Sequence, residues 1–216
     1  MKKGTIVTIA ALVLIIFFAG ATVFYQQQQA SKAETVARHN AALLERDGVP
    51  TKGNPDAKVT IVEFFDPACE TCKAFHPYVQ QLMNENPGKI RLVMRYAPLH
   101  PGSDYVVSLL EAAKQQGKFW ETLEATYAAQ SVWASHGNPQ PKKLWMQLGR
   151  VGLNLKKTQD LMQSPEVVNN VKQDIADGQK VGASKTPTFF VNGKPLVRFG
   201  YEQLRSLVEA EVQSAY

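Results

Sequence analysis

The spacing of hydrophobic positions changes several times along the chain, and each change marks a different kind of element. From Gly4 to Tyr25 the run GTIVTIAALVLIIFFAGATVFY carries no charged side chain, and it reaches the length of about 20 residues that crosses a bilayer as a helix. Lys2 and Lys3 precede it, and the positive-inside tendency then puts everything after residue 25 on the far side of the membrane. The competing reading is a cleaved signal peptide, with Ala19-Gly20-Ala21 as a small-residue cleavage site after the apolar stretch from Thr5 to Phe18. Thr22-Val23-Phe24-Tyr25 prolongs the apolar run past that site and places an aromatic at the interface, which favours an anchor over residues 1–25. Residues 26–53 read as a polar juxtamembrane linker with a weak helical stripe at Val36, Leu43 and Leu44, and the folded domain is expected to span 54–216.

Within that domain, KVTIVEFF from Lys58 to Phe65 is rich in β-branched and aromatic residues with almost no alternation, the pattern of a strand buried on both faces. Asp66-Pro67 stops it. Cys69 to Asn86 predicts a helix, with Phe75, Val79, Leu82 and Met83 at helical spacing and Asn86-Pro87-Gly88 as its end. KIRLVMRYAPL, from Lys89 to Leu99, alternates apolar and basic residues as a second strand. A β-α-β unit of this length implies a parallel pair with a right-handed crossover. A mostly helical block follows from about 103 to 182, and its segments are Tyr105–Gln116, Lys118–Gln130, Lys142–Gly149, Leu155–Met162 and Pro165–Gln179. Thr188–Val191 and Leu196–Phe199 flank Asn192-Gly193-Lys194-Pro195 as a hairpin, and Tyr201–Val212 closes the chain as an amphipathic helix. The element order is β-α-β, a helical insertion, then β-β-α, an α/β fold.

Composition narrows the function. The 216 residues are 44% hydrophobic and 20% charged, which are ordinary globular values. Setting aside Lys2 and Lys3 leaves 22 basic against 19 acidic side chains, a net +3, too mild to argue for nucleic acid as a partner. The two cysteines, Cys69 and Cys72, cannot supply a four-cysteine zinc ribbon or an iron–sulfur cluster.

A close cysteine pair in an exported domain points to redox chemistry. Cys69-Glu70-Thr71-Cys72 follows a buried strand and opens a helix, so the first sulfur sits beside unpaired N–H groups at the positive end of a helix dipole. Both favour a thiolate, which makes Cys69 the nucleophile and leaves Cys72, one turn inside, to resolve the mixed disulfide. An inert bridge closing so small a loop would stabilise little. Soft thiolates also suit Cu(I), so a copper or other metal-handling domain using the same sulfurs, with His76, is the alternative reading. His76 otherwise reads as a solvated helix-face residue. His39, His100 and His136 show no partner in the sequence, and Trp120, Trp133 and Trp145 read as core or interface aromatics of the helical block. Glu63 lies between Val62 and Phe64 in the buried strand, where burial raises a carboxyl pKa. Glu70 places a carboxylate between the sulfurs, which opposes thiolate formation and is expected to weaken the pair as an oxidant.

These residues together resemble the DsbA-like branch of the thioredoxin superfamily, the exported thiol–disulfide oxidoreductases. The resemblance covers roughly residues 54–212. It rests on Cys69-Glu70-Thr71-Cys72, on Glu63 six residues upstream where the family carries a buried acid, on Pro77 where the active-site helix is kinked, and on Thr186-Pro187 in KTPTFFVNG. It implies a thioredoxin fold with an inserted helical subdomain and a cis bond at Pro187. It also implies that Thr186 and Pro187 offer backbone groups to the substrate. Implied partners are exported protein thiols and disulfides and a membrane redox partner that recycles the cysteines, with no cofactor. The implied location is the bacterial inner membrane, with the C-terminal domain in the periplasm or extracytoplasmic space. The sequence departs from the best-known oxidases at Glu70-Thr71, where those carry Pro-His; these two positions are the expected tuners of the potential.

Overall fold

The structure, a computed structural model, describes residues 12–14, 17–18, 20–22, 43–135 and 138–216 and the single positions 24, 28 and 41. Most of the apolar run 4–25, as well as His39 and His136, lies outside the described residues. Among those described, no helix is long and apolar enough to cross a membrane.

Five strands form one sheet: β1 (Thr51–Gly53), β2 (Val59–Phe65), β3 (Ile90–Tyr96), β4 (Thr188–Val191) and β5 (Lys194–Pro195), in the order β1-β3-β2-β4-β5. β2 and β3 run parallel, from Val59 opposite Ile90 to Phe65 opposite Tyr96, as the β-α-β reading requires. The crossover is α1 (Glu70–Glu85), and the remaining strand pairs are antiparallel. All seven residues of β2 are buried, because helices cover both faces of the central strand.

Alternation along β2 decides which side chains meet. Val59, Ile61 and Phe65 face one layer, where they join Phe75, Val79 and Leu82 of α1 and Leu204, Val208 and Val212 of α8 (Tyr201–Ala215). Val62 and Phe64 face the other, with Leu44, Val93 and Phe190. Glu63 has the parity of Ile61 and Phe65, so its carboxyl enters the layer that also holds Cys69 and Cys72.

The insertion between β3 and β4 comprises α2 (Ser103–Lys114), α3 (Phe119–Ala128), α4 (Gln130–Trp133), a 3-10 turn at Pro141–Leu144, α5 (Trp145–Leu148), α6 (Leu155–Met162) and α7 (Pro165–Lys180). Leu109, Ala112, Leu148, Met162 and Val167 give it a small core of its own. Trp133 is fully buried and donates its indole N–H to the Thr126 carbonyl at 3.0 Å. Trp120 and Trp145 pack at the edges of neighbouring clusters.

Two sequence expectations are corrected. Residues 43–53 read as part of a linker in the sequence, yet Leu44 is buried in the core and β1 pairs with β3, its Thr51 opposite Val93. The second hairpin strand lies at Lys194–Pro195 and not at 196–199. Asn192 (φ 47°) and Gly193 (φ 78°) both adopt the positive φ of a two-residue turn, which brings Val191 directly opposite Lys194. Arg95 is fully buried, where α7 presents Asp174 (2.9 Å) and Asp177 (2.8 Å) to its guanidinium. Its Nη1 donates to the carbonyls of Leu43 and Leu44.

Breaking such a pair from one side strands the other charges in the interior. Arg95→Leu is therefore expected to cost about 3–5 kcal/mol of stability, read as a lowered urea midpoint at an unchanged slope.

Candidate active site

The turn that carries the cysteines is built by Asp66, the residue after the buried strand. Its side chain is fully buried and accepts from the Ala68 amide at 2.8 Å, while its carbonyl accepts from the Cys69 amide at 3.0 Å. The same carboxylate accepts from the Leu99 amide (2.6 Å), the His100 amide (2.8 Å) and the Ser103 hydroxyl, and it pairs with His100 Nδ1 at 2.8 Å. One carboxylate thus ties the end of β2 to the connection that enters the insertion. It also supplies the partner that His100 lacked in the sequence.

Cys69 occupies the N-cap of α1 with extended backbone. Both cysteines are free thiols and both are buried, but Cys69 retains 7% exposure and Cys72 none, so Cys69 is the residue nearer the surface. The Cys69 thiol pKa is lowered from 9.0 to about 5. The largest cause is a hydrogen bond from the Cys72 side chain; Thr186 and the backbone of Cys72 and Thr71 add to it, against the opposing effect of burial. Burial pushes the Cys72 thiol well above its ordinary range, and its hydrogen bond to Cys69 and the charges of Glu63 and Cys69 push the same way. The two sulfurs therefore differ in kind, one a stabilised thiolate and the other a shielded thiol. Glu70 is exposed and is the first residue of α1, next to Cys69. The Thr71 backbone contribution comes from one of the two positions between the cysteines.

Glu63 is fully buried, and neither carboxyl oxygen has a hydrogen-bond partner among the described residues. Burial, followed by the negative charge of Cys69, raises its pKa to about 8. The carboxyl is consequently protonated at neutral pH and can supply or accept a proton near pH 8.

The Thr186-Pro187 bond is cis, and the Thr186 carbonyl accepts from the Cys69 thiol at 3.3 Å. Glu63, Cys69, Cys72, Thr186 and Pro187 thus lie in one neighbourhood although 124 positions separate the first from the last in the numbering. Pro77 is inside α1, as expected.

His76 is corrected from a solvated residue to a buried one. It is 4% exposed, its Nε2 lies 2.8 Å from Glu124, and its ring packs on Tyr127 at 5.3 Å. The insertion covers this face of α1, which periodicity within α1 does not reveal. Beside it runs a groove of about 640 Å³ lined by residues that include Lys73, Pro77, Gln80, Glu124 and Tyr127. Among the described residues, no three His, Cys, Asp or Glu side chains gather as a metal site.

Comparison with known proteins agrees with the geometry. A sequence profile of the thioredoxin family matches residues 45–210. Over 145 residues the chain is 30% identical to a Na(+)/H(+) antiporter NhaA of Herminiimonas arsenicoxydans, a match covering 67% of this chain and 22% of the antiporter. It thus spans about a fifth of the length of such antiporter relatives. It is 26% identical over 184 residues to disulfide bond formation protein D of Bacillus subtilis, covering 77% of this chain and 78% of that protein. Among solved structures, a thioredoxin-like oxidoreductase from Silicibacter pomeroyi superposes with a TM-score of 0.69 at 32% identity, over 81% of this chain and 98% of that one. Oxidised BdbD from Bacillus subtilis shares the fold, with a TM-score of 0.64 at 22% identity over 77% of this chain and 94% of that one. With the profile spanning most of the sequence and the paired cysteines seated at the start of α1 beside a cis-proline, the chain belongs to the thioredoxin family.

Proposed function

We propose that the protein is a thiol–disulfide oxidoreductase that exchanges disulfides with exported proteins through Cys69 and Cys72. The observation that carries this reading is the contrast between the two sulfurs, a Cys69 thiol lowered to about 5 against a buried Cys72 above its ordinary range. In the oxidised pair a client thiolate attacks Cys69 Sγ. The Cys69–Cys72 bond breaks, Cys72 leaves with a proton from Glu63, and the client becomes joined to Cys69. A second client thiolate then attacks the client sulfur and displaces Cys69 as a thiolate. The client gains a disulfide and the pair gains two electrons, which a membrane redox partner removes. A thiolate this stable favours the reduced state of the pair and so favours donation of the disulfide to clients.

Thr186 and Pro187 form the edge against which a client strand lies, with Glu70 and Thr71 flanking it. An N-terminal anchor over residues 1–25, with the domain on the extracytoplasmic side, completes the reading. It rests on the uncharged run 4–25 behind Lys2 and Lys3.

The test uses the full chain recovered in detergent from carbonate-washed membranes and exposed to a reduced, unfolded protein. Oxidation of the client with the metal chelated supports the exchange reading. Retention of copper through dialysis without any exchange supports the metal-handling alternative, which uses the same two sulfurs. A soluble mature form beginning at Thr22 contradicts the anchor.

A further inference from the structure

The helical insertion reaches the cysteine turn through one side chain that neither the motif nor the sheet accounts for. Gln130 opens α4, is 4% exposed, and lies 61 positions from Cys69 in the numbering. Its Nε2 donates to the Pro67 carbonyl at 3.0 Å and to the Cys69 carbonyl at 3.1 Å. A primary amide nitrogen has two hydrogens, and here each is committed to a carbonyl on either side of Ala68. Gln130 is itself held firmly. Its carbonyl accepts from the Ala134 amide at 2.8 Å, and Trp133, three residues on, is fully buried and bonded to Thr126.

Peptide groups are planar, so fixing the direction of a carbonyl fixes the N–H of the next residue. The Cys69 carbonyl belongs to the same peptide plane as the Glu70 amide, the first N–H of α1, and it also accepts from the Lys73 amide at 3.2 Å. The backbone of Thr71 and Cys72, immediately downstream, is among the groups that stabilise the Cys69 thiolate. Asp66 pins the other side of the same turn to Leu99, His100 and Ser103. The turn from Asp66 to Cys69 is therefore clamped between the entry of the insertion and its α4 helix.

We propose that Gln130 is a positioning residue, through which the helical insertion orients the cysteine turn and sets the reactivity of Cys69. The role requires two donors on one uncharged atom at the end of a side chain of this length. Methionine matches the length and volume without a donor. Glutamate matches the shape but turns two acceptor oxygens toward two carbonyl oxygens. The inference rests on the exchange reading above, and its test separates the two.

Gln130→Met and Gln130→Glu are made in the full chain and compared with the wild type by three readouts: thermal unfolding, the Cys69 thiolate absorbance titration, and the equilibrium with glutathione. Gln130→Met is expected to raise the Cys69 midpoint by about one unit, which is about tenfold in the glutathione equilibrium toward a less oxidising pair. Gln130→Glu is expected to move both in the same direction and further. A lowered unfolding temperature with the thiolate midpoint and glutathione equilibrium at wild-type values means that Gln130 only holds the fold, and overturns the inference. If Gln130→Met does not fold, Gln130→Glu decides by the same two chemical readouts, and a wild-type midpoint there also overturns it. Failure of the exchange reading shows separately, as a wild-type protein that neither oxidises nor reduces a client.

Discussion

Cys72→Ser is expected to accumulate mixed disulfides with exported proteins, while Cys69→Ser accumulates none and loses exchange altogether. The asymmetry follows from exposure and ionisation acting in the same direction. Cys69 keeps some exposure and is ionised at neutral pH, whereas Cys72 is fully enclosed and remains a thiol. Attack on a client disulfide requires an exposed thiolate, so removing Cys69 removes the reaction. Removing Cys72 leaves the attack intact but deletes the internal sulfur that would release the client. Non-reducing gels of exported extracts read both outcomes. Trapping by Cys69→Ser and not by Cys72→Ser would reverse the assigned roles.

Glu63→Gln is expected to slow release of a mixed disulfide by about 10²–10⁴-fold, the usual size of a general acid–base contribution. Cys72 cannot ionise readily in its buried site, so its proton needs an acceptor nearby, and Glu63 shares its layer of the core with no competing hydrogen bond among the described residues. The pH dependence distinguishes this from a structural role. The raised carboxyl pKa places the base form above about 8, so the wild-type release rate climbs with pH and levels off there. The amide variant has no group to saturate and relies on hydroxide, so its rate continues to climb about tenfold per pH unit. The same substitution removes a buried acid whose folded pKa lies above its unfolded value. An acid of that kind costs stability as pH rises from its ordinary range toward 8, so Glu63→Gln is expected to stabilise the protein at pH 8 relative to the wild type. Rapid-mixing kinetics of a glutathione mixed disulfide at Cys69 give the first result and denaturation at two pH values the second. A levelling profile in the variant would contradict the assignment.

Much of the fold was legible because local signals and tertiary context agree. The unbroken apolar run of β2 corresponds to a strand covered on both faces, and Asn192-Gly193 to a two-residue turn. The cysteine pair stands where a strand hands over to a helix, and the local rules for helix starts already single out Cys69 as the N-cap sulfur. What the sequence did not reveal depends on contacts between distant segments. Arg95 looks like any outward basic residue of an alternating strand until α7 brings Asp174 and Asp177 over it. His76 and His100 acquire Glu124 and Asp66 as partners from other elements, and no spacing within α1 or the loop before α2 encodes that. Gln130 was visible only as the last residue of an expected helix, since a glutamine that donates to two backbone carbonyls carries no motif.

The central claim is that the fold converts Cys69 into a thiolate at neutral pH while Cys72 stays protonated. Its most direct test is the ultraviolet thiolate absorbance of the reduced protein, titrated against the oxidised protein as a blank. The account predicts a single thiolate appearing with a midpoint at about 5 and no second one through neutral pH. A midpoint near the ordinary thiol value of 9.0, or two thiolates titrating together, would contradict it.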